Sequence, residues 1–351
     1  MAFDPQREDY TRLGLRFASS LDISDVGEAT RAFASFGRRF AQDRDSLPQS
    51  DSDRAFHLVV LASKNIDYEL PFAEEARAKE IIEESHRILD EAIQIDPHCY
   101  DALRMKTAAT SQSFDTFLTF LDQNAPEVRS YCEEQRAAAE QEELDERRRL
   151  LADLAMRPYL RWIATQAEEA LICGRNREAI RLCNKAMELD PHDKADVRFT
   201  ASLAYAKLED EAGLIRHFND CGKRTMRACD DAWSQLALLA IAFKRHQEDR
   251  ALTCIRNIIL RYPHAAEALI RQNELPDGVF ARLAVAPYSE DELILALSEA
   301  TVLLQEGVDL QGRGVLSSWV IEKTAQIAPQ AMLTVMAQQM PGDPNIDGGK
   351  R

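Results

Sequence analysis

Apolar residues recur at three- and four-residue spacing along most of the chain from residue 53 onward, which sets them on one face of an α-helix. There is no sustained apolar–polar alternation, and no β-branched or aromatic run bounded by Gly turns, so no sheet is predicted. The pattern predicts helices over 26–44, 53–69, 72–95, 99–111, 113–122, 126–155, 158–173 and 175–189. More follow over 194–207, 209–222, 231–245, 247–261, 289–306, 311–325 and 328–339. Pro71, Pro97, Pro126, Pro158, Pro191 and Pro263 are assigned to helix edges, where a missing N–H is tolerated. Gly174 suits a left-handed helix stop, and Ser289 with Glu292 has capping-box spacing. Short connections make successive helices antiparallel hairpins, so the fold class is all-α.

Internal repetition sharpens this picture. AIQIDPHCYDALR (Ala92 to Arg104) matches AMELDPHDKADVR (Ala186 to Arg198) at a constant offset of 94, with Ala, Asp, Pro, His and Arg coinciding. A third copy, IILRYPHAAEALI (Ile258 to Ile270), keeps Pro263 and His264 at an offset of 72 from the second. That offset is close to two units of the roughly 34-residue tetratricopeptide (TPR) period. Ala167, Ala179 and Ala186 fill small positions where helices must approach closely, and Pro191 ends the unit. Leu239, Ala251, Ile258 and Pro263 repeat this, and Ala201, Gly213 and Asp220 fit a degenerate unit between them. The expected architecture is antiparallel helical hairpins stacked as a TPR-like right-handed solenoid.

The segment RPYLRWIATQAEEALICGRNREAIRLCNKAMELDPHDKADVRF resembles the core of the TPR family named for suppressor of tumorigenicity seven. The helix start is Arg157, Pro158 and Tyr159, and the later turn runs from Asp190 through Pro191, Asp193 and Arg198 to Phe199. The family's Asn-Gln-Gly is replaced here by Lys194, Ala195 and Asp196. AIQIDPHCYDAL and NIILRYPHAAEAL with Leu275 and Pro276 are similar to further family elements, so the resemblance covers roughly 80–325. It implies an all-helical scaffold and supplies no catalytic residue.

Composition narrows the function. The 351 residues carry 43 basic and 59 acidic side chains, a net charge of −16, which argues against nucleic-acid or anionic-membrane partners. The longest apolar run, Leu236 to Phe243, has 8 residues, far short of the roughly 20 needed to span a bilayer. Early acids and no apolar leader predict a cytoplasmic protein. Seven widely spaced cysteines without a CxxC pair read as small buried hydrophobes, and scattered histidines predict no metal site. Residues 133–149 carry 11 charges and predict a solvated helix, with Glu143–Arg147 and Asp145–Arg149 pairs at i,i+4. The expected domains are an N-terminal helical extension and linker (1–50), first TPR-like hairpins (51–125) and a long charged connecting helix (126–156). A TPR-like array (157–275), capping helices (276–340) and a disordered tail (341–351) complete them, and DSLPQSDSD over 45–53 reads as the linker.

A TPR array turns one helix of each hairpin toward an inner groove. On this phasing Arg161, Ala164, Glu168, Arg198, Ser202, Tyr205, Trp233, Leu236, Phe243 and Lys244 are groove positions, and Arg161, Glu168, Arg198, Tyr205, Trp233, Phe243 and Lys244 are the partner-binding candidates. Arginine grips a carboxylate in bidentate fashion, and Trp or Tyr supplies an apolar anchor. No P-loop, GxSxG or HExxH occurs, and no cofactor is predicted. The reading is a non-enzymatic TPR-like adaptor binding a protein or peptide, for which Arg198→Glu is expected to weaken binding and spare helicity. The alternatives are a self-associating structural subunit and an enzyme of unrecognised chemistry.

Overall fold

The computed structural model describes residues 4–20, 26–70, 73–224, 229–272, 285–307 and 313–339. The expected tail over 341–351, the family elements Leu275 and Pro276, and the predicted helix edge at Pro71 lie outside the described residues. Within them the chain is helical and has no strand. It divides into two compact units, Met1–Thr200 with Pro276–Ala284 and Ala201–Leu275 with Val285–Arg351.

Unit 1 holds α1 (Pro5–Ser20), α2 (Val26–Gln42), α3 (Asp51–Ser63), a π-helical turn (Lys64–Glu69) and α4 (Glu75–Ile95). It continues with α5 (Tyr100–Thr110), α6 (Phe114–Ala139), α7 (Asp145–Ile172) and α8 (Asn176–Leu189). Neighbours pair as α3 with α4, α6 with α7, and α7 with α8. The charged stretch read as one connecting helix is instead a corner: α6 stops at Ala139 and α7 starts at Asp145. Tyr100, Phe117, Leu121, Val128, Cys132, Met156, Tyr159, Leu160 and Trp162 form one buried cluster, which the two helices can share only if the chain reverses. Burying such side chains is worth about 1.5–3 kcal/mol each, against a few tenths for each charge pair along a continuous helix. The predicted pairs give way accordingly. Arg147 contacts Glu142 at 2.7 Å and Arg148 contacts Asp145 at 3.1 Å. Arg148 also donates to the Glu142 carbonyl at 2.7 Å.

Pro126 and Pro158 are a second departure, for both lie inside helices rather than at edges. Proline at 126 removes the donor to the Asp122 carbonyl and crowds the preceding turn. Side chains serve the carbonyls just before it: Leu121 O accepts from Trp162 Nε1 at 3.0 Å, and Phe120 O accepts from Asn124 Nδ2 at 2.8 Å. Gly174 behaves as predicted, with φ of 74°. Arg175 N donates to Ala170 O at 2.7 Å and Gly174 N to Leu171 O at 3.0 Å, a Schellman stop.

The first two sequence copies are alike in structure. α4 and α8 end on Asp96 (φ −136°, ψ 103°) and Asp190 (φ −129°, ψ 91°). Each aspartate accepts from the histidine N–H two residues on, at 2.9 Å in the first copy and 3.3 Å in the second. The third copy has Tyr262 at this place, and its hydroxyl accepts from Ala232 N at 2.8 Å.

Within unit 1, α1 is fastened by buried charges to Arg44 and to α3. Arg44 grips Asp9 at 2.6 and 2.9 Å, and His57 meets the same carboxylate at 2.8 Å. The stretch 45–53, expected as a linker, ends in a capping box in which Ser50 accepts from Asp53 N while Asp53 accepts from Ser50 N. Arg16 of α1 pairs with that same Asp53.

In unit 2 the helices are α10 (Glu211–Arg224), α11 (Ala232–Lys244), α12 (Glu248–Arg261), α13 (Ala265–Arg271), α14 (Glu290–Glu299), α15 (Thr301–Leu304), α16 (Val315–Ile327) and α17 (Pro329–Gln339). The boundary between units falls within α9 (Val197–Lys207). α11 pairs with α12, and Ala266, Ile270, Ala331 and Val335 join α13 to α17. Gly213 is required where it stands, because a Cβ there would lie 2.6 Å from the Tyr205 ring. Ser289 caps α14 by accepting from Glu292 N at 3.2 Å. Glu292 does not return the bond to Ser289 as the box predicts; it accepts from Tyr288 N and the Tyr262 hydroxyl.

Candidate functional site

Two recesses in unit 1 are the candidates, and a cluster of ion pairs lies beside both. Glu8 on α1 is fully buried and receives Arg12, Arg157 and Arg161 at 2.8, 3.1 and 2.8 Å. Arg161 on α7 also grips Asp101 of α5 in bidentate fashion at 2.7 and 2.5 Å. Burial alone would raise the Glu8 carboxyl, but Arg161, Arg12 and Arg157 together hold it far below the usual carboxylate range. Asp101 is lowered for the same reason: burial opposes ionisation, and Arg161 outweighs it.

On one side of this cluster is an open cleft of about 560 Å³ bordered by α1, α3, α5, α6 and α7. Its walls carry two stacked pairs. The Arg12 guanidinium lies 4.3 Å from the Phe56 ring centre, and His98 stacks on Tyr131 at 4.6 Å with the rings nearly parallel. Arg16, Gln135, Arg147 and the exposed Ala138 line it as well. Such a surface offers stacking faces and hydrogen-bond donors.

The inner cavity, about 440 Å³, is bordered by α3, the π-helical turn, α4, α5, α6 and α7 with Pro5 of α1, and Phe56 and Asp101 line it as they line the cleft. Most of its lining is apolar, including Val59, Ile66, Leu70, Met105 and Phe117. Asp67, Ser85, His86, Arg104 and Glu169 also line it. Burial raises Asp67 to about 7, against the partial opposition of Arg104. Burial, helped by the neighbouring charge of Glu168, raises Glu169 to about 8. Arg104 donates to Thr165 at 3.1 Å and lies 3.6 Å from Asp101.

Of the candidates read from the sequence, Arg161 lines the inner cavity, and each of the others has a definite place in the fold. Arg161 belongs to the ion-pair cluster, and Glu168 to the neighbourhood of Glu169. Arg198 is 6% exposed. It is held by Asp193 at 2.9 Å and Asp196 at 2.6 Å in a turn where both aspartates have positive φ. Asp193 accepts from Val197 N at 2.9 Å and Asp190 accepts from Lys194 N at 2.7 Å, so the turn is closed by its own side chains. Reversing Arg198 would set three carboxylates together and test folding, so it does not serve as the binding test. Ala164 and Ser202 are buried. In unit 2 Trp233 is 1% exposed and donates to Glu299 at 2.8 Å, and Leu236 is equally buried. Tyr205 packs against His217, Phe243 packs against Trp319, and Lys244 pairs with Glu306 at 2.6 Å.

The sequence reading missed Asp67, Ser85, His86 and Glu169. Glu169 had a signal: it stands seven residues after Trp162 on a buried face of α7. Arg104 was in view as the repeat partner of Arg198, but only as a matching letter.

No family profile, no curated protein and no solved structure matches this chain. Among the described residues no helix is long and apolar enough to cross a membrane, and no group of His, Cys, Asp or Glu is placed to hold a metal ion.

Proposed function

We propose that this protein is a non-enzymatic, cytoplasmic adaptor that holds a protein or peptide segment in the open cleft of unit 1. The observation that carries the reading is the cleft itself, with Arg12 on Phe56 and His98 on Tyr131 as preformed stacking walls. A peptide with an aromatic or guanidinium side chain would stack on these walls, and Gln135 on the same cleft would bond its backbone. We further read the hairpins as TPR-like units stacked in a right-handed solenoid. Supporting this are the full burial of Ala167, Ala179 and Ala251, the near-full burial of Ala186, and the shared geometry of the Asp-Pro-His turns.

The test is site-directed photo-crosslinking. A photoreactive residue at Gln135 is expected to trap a discrete partner, and Ala138→Trp, which fills the cleft without removing a bond, is expected to abolish it. Equal trapping from Arg87 on the outer side of α4, or trapping that survives Ala138→Trp, would sink the reading.

A second reading is favoured by one observation. The terminal helix α17 exposes Leu333 (59%) and Met336 (54%) three residues apart on one face, as a self-associating subunit would. Light scattering over a concentration series decides it, a persistent monomer counting against self-assembly.

A further inference from the structure

The inner cavity of unit 1 gathers polar atoms that the fold leaves unserved. Seven buried side-chain polar atoms lack a hydrogen-bond partner among the described residues, and four of them belong to residues lining this cavity: Ser85 Oγ, His86 Nε2, Arg104 Nε and Glu169 Oε2. Ser85 is 0% and Glu169 2% exposed, so water does not reach them as it reaches a surface group. A buried polar atom without a partner is unfavourable, and four around one space is what a site awaiting a ligand looks like.

The charges decide the ligand's sign. Asp101 is saturated by Arg161, and Arg104 already faces Asp67 and Asp101. Among the described residues no cation pairs with Glu169; the charge that acts on it is that of Glu168, which is of its own sign. Three of the four unserved atoms can accept a hydrogen bond, and the ammonium group is the compact ion with three donors and no acceptor. An anion would have to draw on Arg104, whose guanidinium is already balanced by Asp101 at 3.6 Å and bonded to the Thr165 hydroxyl. The rest of the lining is apolar, and the exposed side chains of Ile82 and Phe114 stand at the cavity's edge.

We propose that the inner cavity binds a small organic amine with an apolar body, its ammonium against Glu169 and its body among Phe56, Met105 and Phe117. Binding of the cation displaces the proton that burial holds on Glu169, so about one proton is released to buffer per amine bound. The other titratable and charged groups around the site are Glu168 and Arg161 on α7, the latter held by Glu8 and Asp101, then Asp101 and Arg104 on α5, His86 on α4 and Asp67 on the π-helical turn.

The experiment is titration calorimetry on the full chain with octylamine and 2-phenylethylamine, with octanoate as the anionic counterpart, in buffers of different ionisation enthalpy. Saturable binding of at least one amine, with proton release and with affinity lost by about tenfold or more in Glu169→Gln, is the expected result. Ala109→Trp, which narrows the same cavity and leaves every charge in place, is expected to weaken the amine equally. The proposal falls if octanoate binds as well as octylamine, if neither amine binds, or if both variants keep wild-type affinity. Circular dichroism on each variant separates loss of the site from loss of the fold.

Discussion

Glu169 is where burial and charge conflict most openly, and the conflict has a measurable sign. Its carboxyl is raised from the ordinary 4.5 to about 8 by burial and by Glu168. Between those values the folded chain holds a proton that the unfolded chain has lost, so stability falls as pH rises through this window. Glu169→Gln removes the titration. The variant is expected to gain about 1–3 kcal/mol over wild type near pH 8 and nothing near pH 4, read as urea midpoints at the two pH values. A gain that is equal at both values would show that Glu169 is not the titrating group. Arg161 has the opposite character. It neutralises Glu8 and Asp101 together, and removing it leaves two buried carboxylates on fewer cations. Arg161→Met is expected to cost about 3–5 kcal/mol, whereas an exposed pair such as Arg129–Glu133 is worth less than about 1. Equal small losses for Arg161→Met and Arg129→Met would refute the central place given to Arg161.

At the scale of the element, what the sequence made legible was whatever local pattern decides. Helices predicted over 175–189 and 247–261 are found as Asn176–Leu189 and Glu248–Arg261 because their amphipathic stripes and stop signals agree, and that over 231–245 is found as Ala232–Lys244, an apolar helix buried on nearly every side. The corner after Ala139 was not legible, since nothing local forbids the charged stretch from continuing as helix; the distant cluster around Trp162 forces the reversal. The inner cavity was hidden for a further reason. Asp67 sits in a π-helical turn, which has no sequence period, and the space exists only where six helices and that turn meet. Element boundaries still give a test. Ser50 caps α3 and also bonds Arg16 of α1, so Ser50→Ala is expected to cost about 1–2 kcal/mol. Ser113→Ala removes a solvent-exposed cap of α6 and is expected to cost about 0.5–1. Denaturation midpoints compare them, and a costlier Ser113→Ala would contradict the link between α1 and α3.

Over the whole molecule the titrating carboxyls fall into two opposed sets, and their sum predicts the shape of the stability curve. Glu8, Asp9, Asp101 and Asp153 are held low by arginine, lysine or histidine partners against the pull of burial. Their contribution is complete above the ordinary carboxylate range and disappears as pH falls through their folded values. Asp67, Asp193 and Glu169 are raised by burial to about 7, 6 and 8, and their contribution is complete at low pH and fades as pH rises toward those values. The two slopes cross just above the ordinary carboxylate range, so maximal stability is expected near pH 5 rather than at neutrality. The net charge of −16 acts in the same direction by self-repulsion at neutral pH, but salt screens repulsion between exposed charges and leaves a buried carboxyl nearly untouched. Urea midpoints measured from about pH 3.5 to pH 8.5, at low and high salt, separate the two causes. A decline above pH 5 that persists in high salt and flattens in the Asp67→Asn, Glu169→Gln double variant assigns it to the cavity carboxyls. A decline that salt alone abolishes assigns it to surface charge, and stability that climbs steadily to pH 8 would mean that these carboxyls are ionised in the folded chain.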